Sequence, residues 1–156
     1  MMALKAKSPE KSRTILSQLM QPEHSNSRGN VHGGEMMKLM DEAGALASMR
    51  HAQNRVVTVA VDRMTFKHPV EIGDLVVLEA VVSYVGRTSL EAEVSVFAEN
   101  PVTGERIMTN TAYLVYVALD SEGKPAAVPE LLLETEEDLQ RFEEGKRRQE
   151  ARLARL

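Results

Sequence analysis

Residues 35–50 form one uninterrupted segment rich in Met, Leu and Ala, with no proline. That composition favours a helix. With about 100° between successive residues, the spacing puts Met36, Met40, Ala43 and Ala47 on one face. Leu39 and Leu46 flank that face on one side, Met37 and Gly44 on the other. Glu35, Lys38 and Glu42 form a narrow polar stripe. A helix that is apolar round most of its circumference has to be enclosed. The rest of the chain must therefore wrap around it.

The remaining segments have the period of strands. Val57, Val59 and Val61 alternate with Thr58, Ala60 and Asp62, the pattern of a half-buried strand. Residues 65–70 continue it raggedly, and Glu71-Ile72-Gly73-Asp74 reads as a turn. Residues 75–85 read as a long strand, apolar on nearly both faces. Residues 88–99 and 106–119 read as two more, joined through turns at Gly86-Arg87 and at Asn100–Gly104. Residues 13–20, ended by Pro22, fit either a strand or one helical turn, which periodicity does not separate; a short leading strand is favoured, and residues 1–11 are read as a ragged soluble leader. Strands joined by short turns predict an antiparallel meander, and the economical packing wraps that sheet around the helix. The fold class is thus α+β, one domain over residues 1–130 followed by a helical tail over 131–156. The tail opens on a capping-box pattern, Thr135 with Asp138. Its apolar residues are too sparse for a core helix, so it is expected to be solvated and docked by one edge.

The formal net charge of −4 argues against general nucleic-acid binding, though not against a local basic site for a phosphorylated ligand. With no cysteine, the chain has no disulfide, thiolate nucleophile or thiolate metal ligand, which is compatible with a reducing cytosol. No signal peptide is visible, and no segment has the length needed to span a bilayer. His24, His51 and His68 lack metal-ligand spacing, so no metal is expected.

The chemistry concentrates where a glycine-rich loop, Asn26-Ser27-Arg28-Gly29-Asn30-Val31-His32-Gly33-Gly34, meets the helix. Backbone N–H groups at a helix start have no partner inside the helix, and glycine lets a ligand approach them. A carbonyl oxygen or oxyanion is a natural guest there. Asp41 stands outside the polar stripe, near Met37, Gly44 and Ser48. A carboxylate in such surroundings is costly to desolvate unless it is paired or used. Pairing with Lys38, or capping a neighbouring element, is the alternative to a catalytic role. His32 reads either as a general base or as a ring that packs at the helix start. Arg87, Thr88 and Ser89 read either as a phosphate contact or as an ordinary hairpin turn.

The loop and helix block, with Val85-Gly86-Arg87-Thr88-Ser89, Asn100-Pro101-Val102-Thr103-Gly104 and Phe142-Glu143-Glu144-Gly145-Lys146, resembles the brain and bacterial cytosolic acyl-CoA hydrolase family of hotdog-fold thioesterases. The resemblance covers roughly residues 13–148. It implies a cytoplasmic enzyme that hydrolyses fatty acyl-CoA to free acid and CoA, with no cofactor beyond the CoA of its substrate. It implies that Asn26 and Asp41 are catalytic and meet across a dimer interface, and that the homodimers assemble into a hexamer as a trimer of dimers. Gly33 and Gly34 would then bind the thioester oxygen, and Arg87, Thr88 and Ser89 the CoA phosphates. No nucleic acid or membrane partner is implied. Two other readings stay open on sequence alone: a different hotdog thioester enzyme, such as an enoyl-CoA hydratase, and a non-catalytic acyl-CoA sensor or scaffold.

Overall fold

The computed structural model describes residues 4–156. In chain order the main elements are β1 (Thr14–Leu19), α1 (Gly33–Ala52), β2 (Arg55–Asp62), β3 (Leu75–Val85), β4 (Ser89–Glu99), β5 (Arg106–Leu119) and α2 (Glu136–Ala154). Short 3-10 turns occupy Pro9–Ser12 and Pro22–His24. The five strands form one sheet in the order β1-β3-β4-β5-β2, every neighbouring pair antiparallel.

The sheet wraps α1. Met36, Met40, Ala43 and Ala47 are buried, as the helical spacing requires. They meet alternate residues of three strands: Val76, Leu78, Ala80 and Val82 on β3, Leu90, Ala92, Val94 and Val96 on β4, and Ala112, Leu114, Tyr116 and Ala118 on β5. This core is aliphatic and Met-filled, in keeping with a chain that has no Trp. The helix is less enclosed than its composition predicts, because Met37 and Leu46 stay exposed.

The meander holds for β3, β4 and β5 only. β2 does not sit beside β3; it pairs with β5 at the opposite edge of the sheet. The connecting segment 63–74 forms no strand, contrary to the ragged strand read at 65–70. It crosses the molecule, tied to β5 by Lys67 N–H on Thr109 O and to the loop before α1 by Val31 N–H on Val70 O.

β2 also breaks the alternation read from its valines. The register slips at Val59, so that Thr58 faces Tyr116 while Ala60 faces Val115. An extra residue in one strand reverses which side the following residues take. Val57 now lies opposite Val117 and Val61 opposite Leu114, which point to different faces of β5. Val57, Val59 and Val61 are all exposed, at 44%, 54% and 45%.

The outer face of β3 is covered within the chain. Val77 and Val81 are buried, and the tail helix α2 packs there with Phe142 against Tyr84, ring centroids 5.0 Å apart. The two-faced apolar pattern of residues 75–85 is thus satisfied internally. The tail docks by one edge, but through arginines. Arg141 approaches Glu93 at 3.6 Å, Arg148 grips Glu91 with two hydrogen bonds of 2.9 and 2.8 Å, and Arg152 meets Asp62 at 2.6 Å. Gly145 permits this approach, since a Cβ there would lie 2.7 Å from Cβ of Tyr84.

The N-terminal stretch is more ordered than the expected ragged leader. Residues 1–3 lie outside the described residues, but Ser8 and Pro9 are buried. Lys7 exchanges backbone hydrogen bonds with Glu130 and Leu132, and its Nζ donates to the carbonyl of His51. No helix among the described residues is long and apolar enough to cross a membrane.

Candidate active site

The loop before α1 is shaped by Asn26. Its Oδ1 accepts from the backbone N–H groups of Arg28 at 2.8 Å and Asn30 at 3.2 Å, while its own N–H donates to Asn30 O at 2.7 Å. Such an Asx turn is the local bonding that favours Asn in turns. Gly29, at φ 85°, closes it. With Oδ1 engaged, the Nδ2 amide is the part of this side chain left to donate elsewhere.

α1 begins at Gly33, with His32 as its N-cap. The His32 ring packs at the helix start and accepts the Gly34 N–H through Nδ1 at 2.9 Å. The lone pair a general base would use is therefore on the backbone. Gly34 N–H is taken in this arrangement, and Gly33 N–H has no hydrogen-bond partner among the described residues.

Asp41 lies eight residues further, about 12 Å along the helix at 1.5 Å per residue. It forms no ion pair with Lys38. Instead the sheet reaches up to it. Thr58 Oγ1 donates to Asp41 Oδ1 at 2.8 Å, and the Tyr116 hydroxyl donates to the same oxygen at 3.0 Å. The two donors are directly opposite one another on β2 and β5, so one cross-strand pair delivers both. The Tyr116 hydroxyl also lies 3.1 Å from the Asp41 backbone carbonyl. Oδ2 has no protein partner among the described residues. Burial first, and the Asp41 charge second, hold the Tyr116 hydroxyl far above the usual tyrosine range, so its proton stays in place. Gly44, one turn beyond Asp41, lets the ring in: a Cβ there would overlap the Tyr116 hydroxyl.

Among the described residues no hydrogen bond joins Asn26 to Asp41. The loop bonds Asn26 to itself, and Asp41 faces the sheet. Exposed apolar side chains lie nearby in the chain: Met37 one turn before the aspartate on α1, and Val57 and Val59 next to Thr58 on β2. Arg87 is exposed at the β3–β4 turn, where it lines a cleft of roughly 570 Å³ with Val128, Glu130, Leu131 and Phe142. Thr88 and Ser89 are part of the turn's own bonding: Thr88 O accepts from Ala118 N–H, and Ser89 O from Gly86 N–H. Among the described residues no cluster of His, Asp and Glu could hold a metal ion.

Thr58 and Tyr116 escape a reading of the sequence because each sits in an ordinary strand pattern. Only Gly44 hints at them, as a small residue marking the close approach of another group.

Residues 28–105 match the model of the thioesterase superfamily. The acyl-CoA thioester hydrolase YciA of Escherichia coli is 40% identical over 119 residues, covering 74% of this chain and 89% of the relative. A hexameric acyl-CoA thioesterase of known structure superposes with a TM-score of 0.92 at 39% identity, covering 97% of both chains. The acyl-CoA hydrolase of Staphylococcus aureus, solved with butyryl coenzyme A, coenzyme A and coenzyme A disulfide, superposes at a TM-score of 0.89 with 32% identity, covering 96% of this chain and 92% of its own. That hydrolase has also been solved with an aspartate, an asparagine and a threonine each replaced by alanine.

Proposed function

The chain belongs to the thioesterase superfamily, and from that membership we propose how its residues perform the reaction. It is an acyl-CoA thioester hydrolase: water and an acyl-CoA give a free acid and CoA. The Asp41 carboxylate carries the assignment of the site. One of its oxygens is tied down by two hydroxyls, and the other is open, on a carboxylate that stands outside the polar stripe of α1.

Asp41 Oδ2 is the reacting atom. Two routes use it. Acting as general base, it takes a proton from the water that attacks the thioester carbonyl; acting as nucleophile, it attacks that carbonyl, the C–S bond breaks with release of CoA thiolate, and water then opens the transient anhydride. Asn26 Nδ2 donates to the thioester carbonyl, since its Oδ1 is held by the loop. Gly33 N–H is the second donor to that oxygen, and Gly34 N–H joins it once the substrate displaces the His32 ring. Arg87 faces the CoA phosphates from the rim of its cleft, with Thr88 and Ser89 shaping the turn that presents it. The S. aureus hydrolase studied with an aspartate, an asparagine and a threonine altered supports the same three residue types here, Asp41, Asn26 and Thr58.

The chain works as a homo-oligomer. A dimer joined through β2 lets Asn26 of one subunit serve Asp41 of the other, and three such dimers make a hexamer, the state of a solved neighbour. A fatty acyl substrate, a cytoplasmic location and the division into a domain at 1–130 and a tail at 131–156 belong to this proposal as well.

The test is release of free CoA thiol from butyryl-CoA, followed with a disulfide reagent. The protein has no cysteine and contributes no background. Time-dependent thiol release is expected; tight binding of butyryl-CoA without release would turn the reading to a sensor.

A further inference from the structure

Asp41 Oδ1 accepts two hydroxyl protons from the sheet while Oδ2 accepts none among the described residues. A carboxylate free to rotate about its Cβ–Cγ bond would present either oxygen to the substrate. This one is not free. Tyr116 is fully buried between α1 and the sheet, and its ring is fixed by the core around it. Its hydroxyl has one proton, and both acceptors within reach belong to Asp41: the side-chain Oδ1 at 3.0 Å and the backbone carbonyl at 3.1 Å. The absence of a side chain at Gly44 leaves the hydroxyl its place. A buried tyrosine usually finds a partner for its hydroxyl, and most partners would be structural. Here the partner is the carboxylate proposed to do the chemistry.

We infer that Tyr116 is a positioning residue for the hydrolysis: with Thr58 it fastens Oδ1 of Asp41, so that Oδ2 alone is aimed at water or the thioester. The inference rests on Asp41 being the reacting group. Thr58 lies on the exposed edge strand, and its hydroxyl turns about a single bond. Tyr116 enters from the core on a rigid ring, and it is the more exact of the two guides. Lys38 and Glu42, the charged neighbours on α1, make no recorded contact with the carboxylate, and β2 and β5 present only the two hydroxyls to it.

Two variants of the full-length protein test this with butyryl-CoA. Tyr116→Phe keeps the ring and removes the hydroxyl. Its turnover is expected to fall about tenfold with KM within twofold. The second variant carries 3,5-difluorotyrosine at position 116, a stronger donor of nearly the same shape. Its turnover should fall severalfold with KM unchanged, because a stronger donor on Oδ1 draws charge away from Oδ2. A purely structural tie between α1 and β5 would change stability and leave the turnover of both folded proteins as in the wild type. Unchanged turnover in both proteins, with Asp41→Asn inactive, overturns the role of Tyr116 and leaves Asp41 in place. An active, folded Asp41→Asn overturns both. If Tyr116→Phe fails to fold, the turnover of the fluorinated protein alone decides.

Discussion

A carboxylate outside the polar stripe of a largely apolar helix is costly to desolvate unless its charge is satisfied or used. Asp41 is half satisfied, by two hydroxyls on one oxygen, and the other oxygen has no protein partner among the described residues. Its departure from the polar stripe of Glu35, Lys38 and Glu42 was legible in the sequence, because helical spacing alone separates it from them. What held it was not legible. A threonine among valines and a tyrosine in the last strand carry no local signal, and only strand register puts them opposite each other. Asn26 was legible as part of a turn, but the use of its Oδ1 by the loop was not, and that bond is what directs its amide outward. Asp41→Asn and Asn26→Ala are each expected to cut turnover at least ~100-fold, the usual scale for a positioned acid–base or oxyanion group. Steady-state kinetics on folded variants decides it, and near-normal rates in either would exclude that residue. Arg87 is a different case, because a phosphate contact remote from the thioester binds ground state and transition state alike. Arg87→Ala should raise KM for butyryl-CoA more than it lowers turnover, and should leave hydrolysis of a butyryl-pantetheine thioester unchanged. An equal loss on both substrates would mean that Arg87 does not meet the nucleotide.

Among the elements, α1, β3, β4 and β5 follow from periodicity because each has a buried face of regular spacing. β2 and α2 do not. β2 carries a bulge that reverses its faces partway along, and a bulge leaves no mark on an alternating sequence. α2 binds through arginines and a glycine, so its sparse leucines say little about where it lies. A third surprise is the closure of α1 at its far end. His51 is buried, and its Nε2–H donates to the carbonyl of Pro129 at 2.8 Å, joining the helix to the segment that leads into the tail. Nδ1 of the same ring has no partner among the described residues. Burial is the largest influence on this ring and holds its pKa below the ordinary histidine value, against the opposing pull of the Pro129 bond, with the Lys7 charge adding to the lowering. The folded state therefore keeps His51 neutral where the unfolded chain would protonate it. The stability it contributes is fully present above the unfolded pKa of about 6.5 and is lost as the pH falls from there towards the folded value. In urea titrations from pH 7.5 to 5, His51→Gln should be less stable than the wild type at the top of the range. The gap between the two should narrow below about pH 6.5. A gap that stays constant with pH would show that His51 does not titrate on unfolding.

At the scale of the whole molecule, Asn26 sits in the loop before α1, and Asp41 lies eight residues beyond Gly33, about 12 Å along the helix at 1.5 Å per residue. No hydrogen bond among the described residues joins the two. The two apolar faces of residues 75–85 leave nothing over for association, since the tail helix covers the outer of these. The unsatisfied surface is the far edge instead. β2 is the last strand of the sheet, its outer backbone groups are unpaired among the described residues, and Val57, Val59 and Val61 are exposed along it. Met37 and Leu46 of α1 are exposed as well. An unpaired edge with apolar side chains invites a second copy, and a two-fold pairing there would place the same patch on itself. If the reacting groups come from different subunits, each of Asn26→Ala and Asp41→Asn is nearly inactive alone but repairs the other on mixing. A mixed dimer has one intact site, from the Asn26 of one chain and the Asp41 of the other, and one site damaged twice. Random exchange makes half of the dimers mixed, so about a quarter of the wild-type activity should return. Exchange is followed with differently tagged chains and activity with thiol release. Mixed dimers with no recovered activity would mean that both residues serve a site within one subunit, or that Asn26 is not the partner of Asp41. A charge placed in the middle of the edge, Val59→Glu, separates these outcomes from a failure of the interface itself. It should yield folded monomers without activity, whereas active monomers would show that the chain completes its site alone.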